Sequence, residues 1–319
     1  MTQTGTTAVV STANKVAQVK PPKKIDILKS TLNAPSVMAQ FQNALNKNAS
    51  TFVASIIDLY NSDSKLQLCE PKQVVMEALK AATLHLPINR SLGYAYIIPF
   101  NNNKKVQYTD EKGQLKERWE KVMEPTFQMG YKGYIQLAMR TGQYKTINAD
   151  VVYEGELKKT NKLTGEISFD GEKTSDVVIG YFCYFELLNG FSKTLYMTVE
   201  EVARHAKKYS KAIKGDNKVT VESLMKLASL PVTSDTTAVG WLGNFHSMAV
   251  KTVIRNLLGK YGYLSVEIQN AMIDDENGDS AVDETKSADR ETVDMTEVSY
   301  EEVAPAAEQG PQNEIEPGY

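Results

Sequence analysis

Residues 177–211, VVIGYFCYFELLNGFSKTLYMTVEEVARHAKKYSK, read as a strand, a turn, a second strand and a capped helix. The first run, 177–188, is apolar and aromatic with Gly180 as a break, and falls well short of the roughly 20 residues that cross a bilayer. Asn189-Gly190 follows as a type I′ hairpin signal, since both central positions of that turn need positive φ. The chain returns as a strand over 191–197. Thr198 with Glu201 three residues later makes a capping box, each side chain satisfying the other's free N–H. Val202, Ala203, Ala206 and Tyr209 then point toward the sheet, while Arg204, Lys207, Lys208 and Lys211 make a stripe on the opposite side. Like charges on neighbouring helical positions cost about 0.2–0.5 kcal/mol each, so a stripe continued by Lys214 and Lys218 calls for a polyanion. The plain alternative is a solvated face with acidic partners.

Working outward, strands over 144–153 and 167–169 complete a β-meander, giving strands followed by a helix. Upstream, Pro35 opens a helix with Val37, Met38, Phe41 and Leu45 on one face. A second helix carries Phe52, Val53, Ile56, Ile57 and Tyr60, and Pro71 suits the first position of a third through Leu84. The period then changes to two, with a strand from Tyr94 to Pro99 and two ribbon arms, 105–108 and 118–123, around a polar turn. A short strand at 127–130 leads into a helix over 131–140 that Gly142 closes. Downstream, helices are expected at 223–230 and 241–261. The fold class is α+β: an antiparallel meander plus helix with additional N- and C-terminal helices.

Charge divides the 319-residue chain unevenly. Residues 274–319 hold 15 Asp or Glu against Lys286 and Arg290, leaving 34 basic and 24 acidic side chains, a net of +10, for residues 1–273. A basic body with an acidic tail fits a nucleic-acid binder, the tail competing with phosphates or recruiting a basic partner; solubility alone is the other reading. Three regions follow: a flexible arm over 1–34, with Lys20, Lys23 and Lys24 at its basic end; a basic body over 35–273, read from its charge as DNA-binding; and a disordered acidic tail over 274–319. No secretory signal pattern is read, and the two cysteines, Cys69 and Cys183, stand far apart in apolar segments, so a reducing cytoplasm, with no membrane partner, is expected.

Residues 104–132 mix Lys104, Lys105, Lys112, Lys116, Arg118, Lys121 and Lys132 with Tyr108, Trp119, Phe127 and Tyr131, a combination that grips phosphates and offers rings to bases. Glu117, Glu120 and Glu124 dilute the charge. Tyr131 and Lys132 stand at a helix start, where backbone amides favour a phosphate. Lys251 and Arg255 lie four apart on the last long helix. No GxxxxGK[ST] loop and no HExxH pair occurs, which argues against ATP hydrolysis and a zinc protease. Asp150, Glu156 and Lys158 match a loose Mg²⁺-nuclease pattern on a polar turn, the weakest of the readings.

RSLGYAYIIPF (residues 90–100), FQMGYKGYIQLAMRTGQ (127–143) and FHSMAVKTVIRNLLGKY (245–261) resemble, in order and spacing, the RecT family. The resemblance covers residues 35–273, with an apparent insertion between Tyr108 and Phe127. It implies a phage or prophage protein in the cytoplasm of a bacterial host, not an enzyme and needing no cofactor, whose residues 35–273 form a DNA-binding, annealing and oligomerisation domain that pairs complementary strands without ATP. It also implies a ring or helical filament of copies, and as partners single-stranded DNA, the annealed duplex, an exonuclease and a host single-strand-binding protein. On the matching blocks Tyr131, Lys132, Lys251 and Arg255 are expected to face DNA. Lys104, Lys105, Arg118, Arg204, Lys207, Lys208, Lys211 and Lys214 join them from the charge argument. The helices over 35–60 are expected at the subunit contact. A passive single-strand-binding or phage assembly protein shares the same features, and accelerated annealing separates the two.

Overall fold

The computed structural model describes residues 22–109, 113–161, 163–236 and 240–279, so Lys20, Lys112 and the expected tail beyond 279 lie outside the described residues. Four helices come first: α1 (Lys24–Asn33), α2 (Pro35–Leu45), α3 (Ala49–Ser62) and α4 (Pro71–Thr83). Pro35 and Pro71 each occupy the first turn of their helix, where a missing N–H costs nothing. Leu28, Leu32, Phe41, Ile56, Val74 and Ala78 are fully buried between them. The expected arm over 1–34 therefore does not run to residue 34, because α1 packs into this core through Leu28 and Leu32. Lys24 helps dock it, its ammonium donating to the Leu68 carbonyl at 2.6 Å.

A two-stranded ribbon follows, β1 (Ala95–Thr109) and β2 (Leu115–Met129), in unbroken antiparallel register. The expected stop at Pro99 is overridden. Pro99 stands opposite Pro125, and in a two-stranded ribbon each strand has a free edge where a proline loses no ladder bond. The base of the ribbon is core, with Ala95, Ile97, Phe127 and Met129 buried. The outer half exposes Tyr108, Leu115 and Trp119.

Helix α5 (Tyr131–Arg140) leads to β3 (Tyr144–Tyr153), a small hairpin β4 (Lys159–Asn161) and β5 (Glu166–Ser168), then β6 (Val178–Leu187) and β7 (Ser192–Thr198). The main sheet has the antiparallel order β3-β6-β7, and β5 pairs only with β4, so the expected strand near 167–169 stands outside the meander. The turn after β6 is also not type I′. Gly190 has φ +86° while Asn189 is not in the positive-φ region; Gly190 N–H donates to the Leu187 carbonyl, and the Asn189 carboxamide accepts from Phe191 N–H. This is a three-residue loop, a type I turn closed by a left-handed glycine, and the Asn189 side-chain bond favours it over the two-residue alternative.

Helix α6 (Val199–Tyr209) carries the capping box in full: Glu201 N–H donates to Thr198 Oγ1 at 3.2 Å and Thr198 N–H to Glu201 Oε2 at 2.8 Å. Short helices α7 (Lys211–Lys214) and α8 (Val221–Ala228) precede the long α9 (Phe245–Tyr261) and the terminal α10 (Val266–Asp279). Helix α9 lies across β6, β7 and β3, facing buried Tyr181, Cys183 and Phe185. The boundary expected at 273/274 falls inside α10, which carries Asp275 into the core with no exposed surface. Among the described residues no helix is long and apolar enough to cross a membrane.

Candidate nucleic-acid interface

A cleft of about 230 Å³ opens where the loop before β1, the start of α5 and the start of α9 meet. Its geometry is set by backbone contact. Gly130 N–H donates to the Tyr94 carbonyl at 2.9 Å, and a Cβ on Gly130 would sit 2.1 Å from the Gly93 oxygen. A Cβ on Gly133 would sit 2.4 Å from the Tyr94 oxygen. Only glycine lets the β2–α5 corner press this closely on residues 93–94.

Arg90 stands on the rim, held by an ion pair with Asp63. Burial alone would raise the Asp63 pKa, but its hydrogen bonds from Arg90 and from the Leu66 and Lys65 amides outweigh that and hold the carboxyl below its usual range. Arg90 Nε is buried and has no hydrogen-bond partner among the described residues. Lys132 is exposed, with its stem near Gly93, and Gly130 gives α5 no side-chain cap, so the positive end of that helix helps form the cleft wall.

The opposite wall is α9. Asp235 caps it, accepting from the Ser247 amide at 2.8 Å, the Ser247 hydroxyl at 3.1 Å and the His246 amide at 3.3 Å. Buried His246 donates from Nε2 to the Leu230 carbonyl and accepts from the Tyr181 hydroxyl at Nδ1, a tautomer assigned from those two partners. At the back, Lys251 pairs at 3.0 Å with Asp275, which also accepts from the Tyr134 hydroxyl at 2.8 Å and the Met129 amide at 3.1 Å.

The residues expected to face a strand are therefore distributed. Tyr131, Lys132 and Lys251 line this cleft, but Lys251 is buried rather than displayed. On the ribbon, Lys104 pairs with Glu124, Lys105 with Glu117 at 3.5 Å and Arg118 with Glu120 at 3.5 Å, while Lys105 and Arg118 stack on Trp119 and Tyr108. The α6 stripe is split. Lys207 donates to the Ile213 and Asp216 carbonyls at 3.0 and 2.7 Å and braces the following loop, whereas Arg204, paired with Glu200, and Lys208 line a different cleft beside β7. Lys214 is exposed, and the side chain of Lys211 lies outside the described residues. Arg255 is half-buried along the groove between the two clefts. Sequence reasoning passed over Arg90, although it sits in a quoted block, and counted Asp275 with the tail. In the loose Mg²⁺-nuclease pattern, the weakest of the readings, the Glu156 carboxylate accepts the Tyr153 amide at 2.7 Å and closes a turn.

His205 lies at this groove with Nδ1 buried and unpartnered among the described residues. Burial first, then Arg255 and Lys208, hold its pKa below the ordinary 6.5. The folded state binds fewer protons there than the unfolded chain, so its contribution to stability is complete above pH 6.5 and is lost as pH falls below it. Thermal unfolding between pH 7.5 and 5.5 should show a smaller loss of stability in His205→Gln than in the native chain; equal losses would contradict this.

The model of the RecT family matches residues 50–292 of this chain. The chain is 43% identical over 263 residues to Uncharacterized protein YqaK of Bacillus subtilis (strain 168), covering 82% of this chain and 76% of that protein. It is 26% identical over 275 residues to Protein RecT of Escherichia coli (strain K12), covering 83% and 86% respectively.

Proposed function

Because the chain belongs to the RecT family, and so to phage-type recombination by single-strand annealing, we propose that it binds single-stranded DNA and pairs complementary strands without ATP, as an oligomer. One observation carries the reading: three sequence blocks more than 25 residues apart meet at one cleft through Arg90, Lys132 and Lys251. In this reading the α5 amide end, Lys132 and Arg90 neutralise phosphates of a bound strand. Tyr131 offers a ring, and Lys104, Lys105 and Arg118 on the ribbon exchange their glutamate partners for phosphates. Neutralised backbones cease to repel, and matched stacking, about 1.4 kcal/mol per step, locks the pairing. Sequence discrimination then belongs to the DNA and no hydrolysis is needed.

The working domain in this proposal is 35–273 extended by α1 and by α10 through Asp275. Helices α2 and α3 are assigned to contacts between copies. The acidic stretch beyond is assigned to an exonuclease, to a host single-strand-binding protein, or to the basic cleft itself. The setting is a bacterial cytoplasm.

The test is annealing of two complementary fluorescent oligonucleotides without ATP. The native chain should exceed the spontaneous rate, and Lys105→Ala/Lys132→Ala should weaken strand binding, with the slope of log K against log salt falling by about 0.7 per lost phosphate contact. Binding without acceleration would leave a passive single-strand-binding protein in its place. Mg²⁺-dependent cutting abolished by Glu156→Ala would instead revive the nuclease.

A further inference from the structure

A second cleft, of about 730 Å³, lies between α6, β7 and the C-terminal half of α9, within the range that accepts a small ligand or part of a polymer. Its chemistry differs from that of the first. The first is built from backbone amides, a guanidinium and an ammonium. The second is built from rings and lysines: Lys193 and Lys260 lie 5.4 and 5.1 Å from the centre of the Tyr261 ring, and Lys208 lies 5.0 Å from that of Tyr209. Tyr209 is 52% exposed and Tyr261 39%, so neither ring is needed to fill the core.

These lysines are also less neutralised than those of the ribbon. Lys104 and Lys105 have glutamates on the facing strand, whereas Lys193, Lys208 and Lys260 have no carboxylate partner among the described residues. The nearby acids are engaged elsewhere, Glu201 in the capping box and Glu200 with Arg204. Lys193 donates to the Thr164 carbonyl at 3.2 Å, which leaves its charge unneutralised. Exposed rings interleaved with ammonium groups that no carboxylate neutralises are what a single nucleic-acid strand requires: each base has a face to stack, and each phosphate a cation.

The two clefts are joined. A third depression along α9 shares Met248 and Lys251 with the first, and His205, Tyr209, Asn256 and Lys260 with the second. On α9 the groove follows Met248, Lys251, Arg255 and Gly259, which repeat at three- and four-residue spacing on one face, and α6 contributes His205 and Tyr209.

Building on the annealing reading, we propose that the α6–β7–α9 cleft is a second single-strand site, where Tyr209 and Tyr261 stack bases of the incoming strand while the first strand's phosphates stay at the α5 end. When a base settles on Tyr261 it displaces one of the two lysines, which moves to the adjoining phosphate.

Tyr209→Leu/Tyr261→Leu keeps apolar bulk and removes the rings, and Tyr209→Phe/Tyr261→Phe restores them. The Leu pair should bind a first fluorescent oligonucleotide within about twofold of the native chain and anneal its complement about tenfold or more slowly, with the Phe pair close to native. Unchanged annealing in the Leu pair would overturn the proposal. So would a parallel fall in first-strand affinity, which would mean one strand occupying both clefts. If the native chain fails to anneal at all, the annealing reading falls, and a second measurement still decides this site. On protein saturated with a first oligonucleotide, a non-complementary oligonucleotide carrying 5-iodouracil should cross-link to Tyr209 or Tyr261. Cross-links confined to other residues would refute the site.

Discussion

Asp275→Ala is expected to lower stability by about 3–5 kcal/mol, the cost of leaving a buried charge without its counter-ion. The carboxylate has no exposed surface and receives three donors, from Lys251, Tyr134 and Met129. Removing it strands an ammonium, a hydroxyl and an amide in a site that gives them little water. Denaturant unfolding should show a lower midpoint at unchanged slope. Asp274→Ala is the control. Burial, the largest influence, raises the Asp274 carboxyl pKa; Lys80 lowers it, Glu77 and Asp275 raise it, and it stands above its ordinary value, so losing that charge should cost little. Lys251→Met/Asp275→Leu should be more stable than either single change, since it removes both charges together. A loss of under about 1 kcal/mol in Asp275→Ala would mean that water reaches the pair. The result also governs how Lys251 is interpreted: an annealing defect in Lys251→Ala reports first on folding and only then on DNA.

Gly130→Ala should do the greatest local damage to the first cleft. Its Cβ would meet the Gly93 carbonyl oxygen at 2.1 Å, and both partners are backbone, so neither can rotate away. The β2–α5 corner must withdraw from residues 93–94, at about 1–3 kcal/mol or more. Lys132 withdraws with it, and affinity for a single strand is expected to fall by on the order of tenfold, equivalent to one or two phosphate contacts. Gly142→Ala separates backbone strain from contact. Gly142 has φ +67° and no atoms near its missing Cβ, so alanine there should cost about 1–2 kcal/mol and leave affinity unchanged. Equal binding by the Gly130 and Gly142 variants would show that the corner does not position Lys132.

Most of the secondary structure was legible because its signals are local. The Thr198–Glu201 box, Pro35 and Pro71 at helix starts, the start of α5 and the closing Gly142 each depend on residues within one or two turns. The α8 start was misjudged for a similarly local reason: a second capping box, Thr220 with Ser223, begins that helix at Val221, before the expected 223. The ribbon's length was not legible, because Pro99 breaks a strand or is tolerated in one according to whether its edge is free, and that depends on β2.

Taken alone, the sequence determined the meander-plus-helix order, the basic body and the three blocks that mark the family, since periodicity, capping and composition are properties of short segments. Only the tertiary structure decided which cations remain available. Lys251 and Asp275 are 24 residues apart, and Asp275 is 141 residues from Tyr134 and 146 from Met129, so no local pattern could announce that this lysine is buried and paired. Lys207 likewise looks equivalent to Lys208 on a helical wheel until the segment carrying Ile213 and Asp216 folds back and its carbonyls accept hydrogen bonds from the ammonium. Charge type is written in the chain, but exposure and pairing depend on which distant elements pack together, and they set the energy of contact with a polyanion.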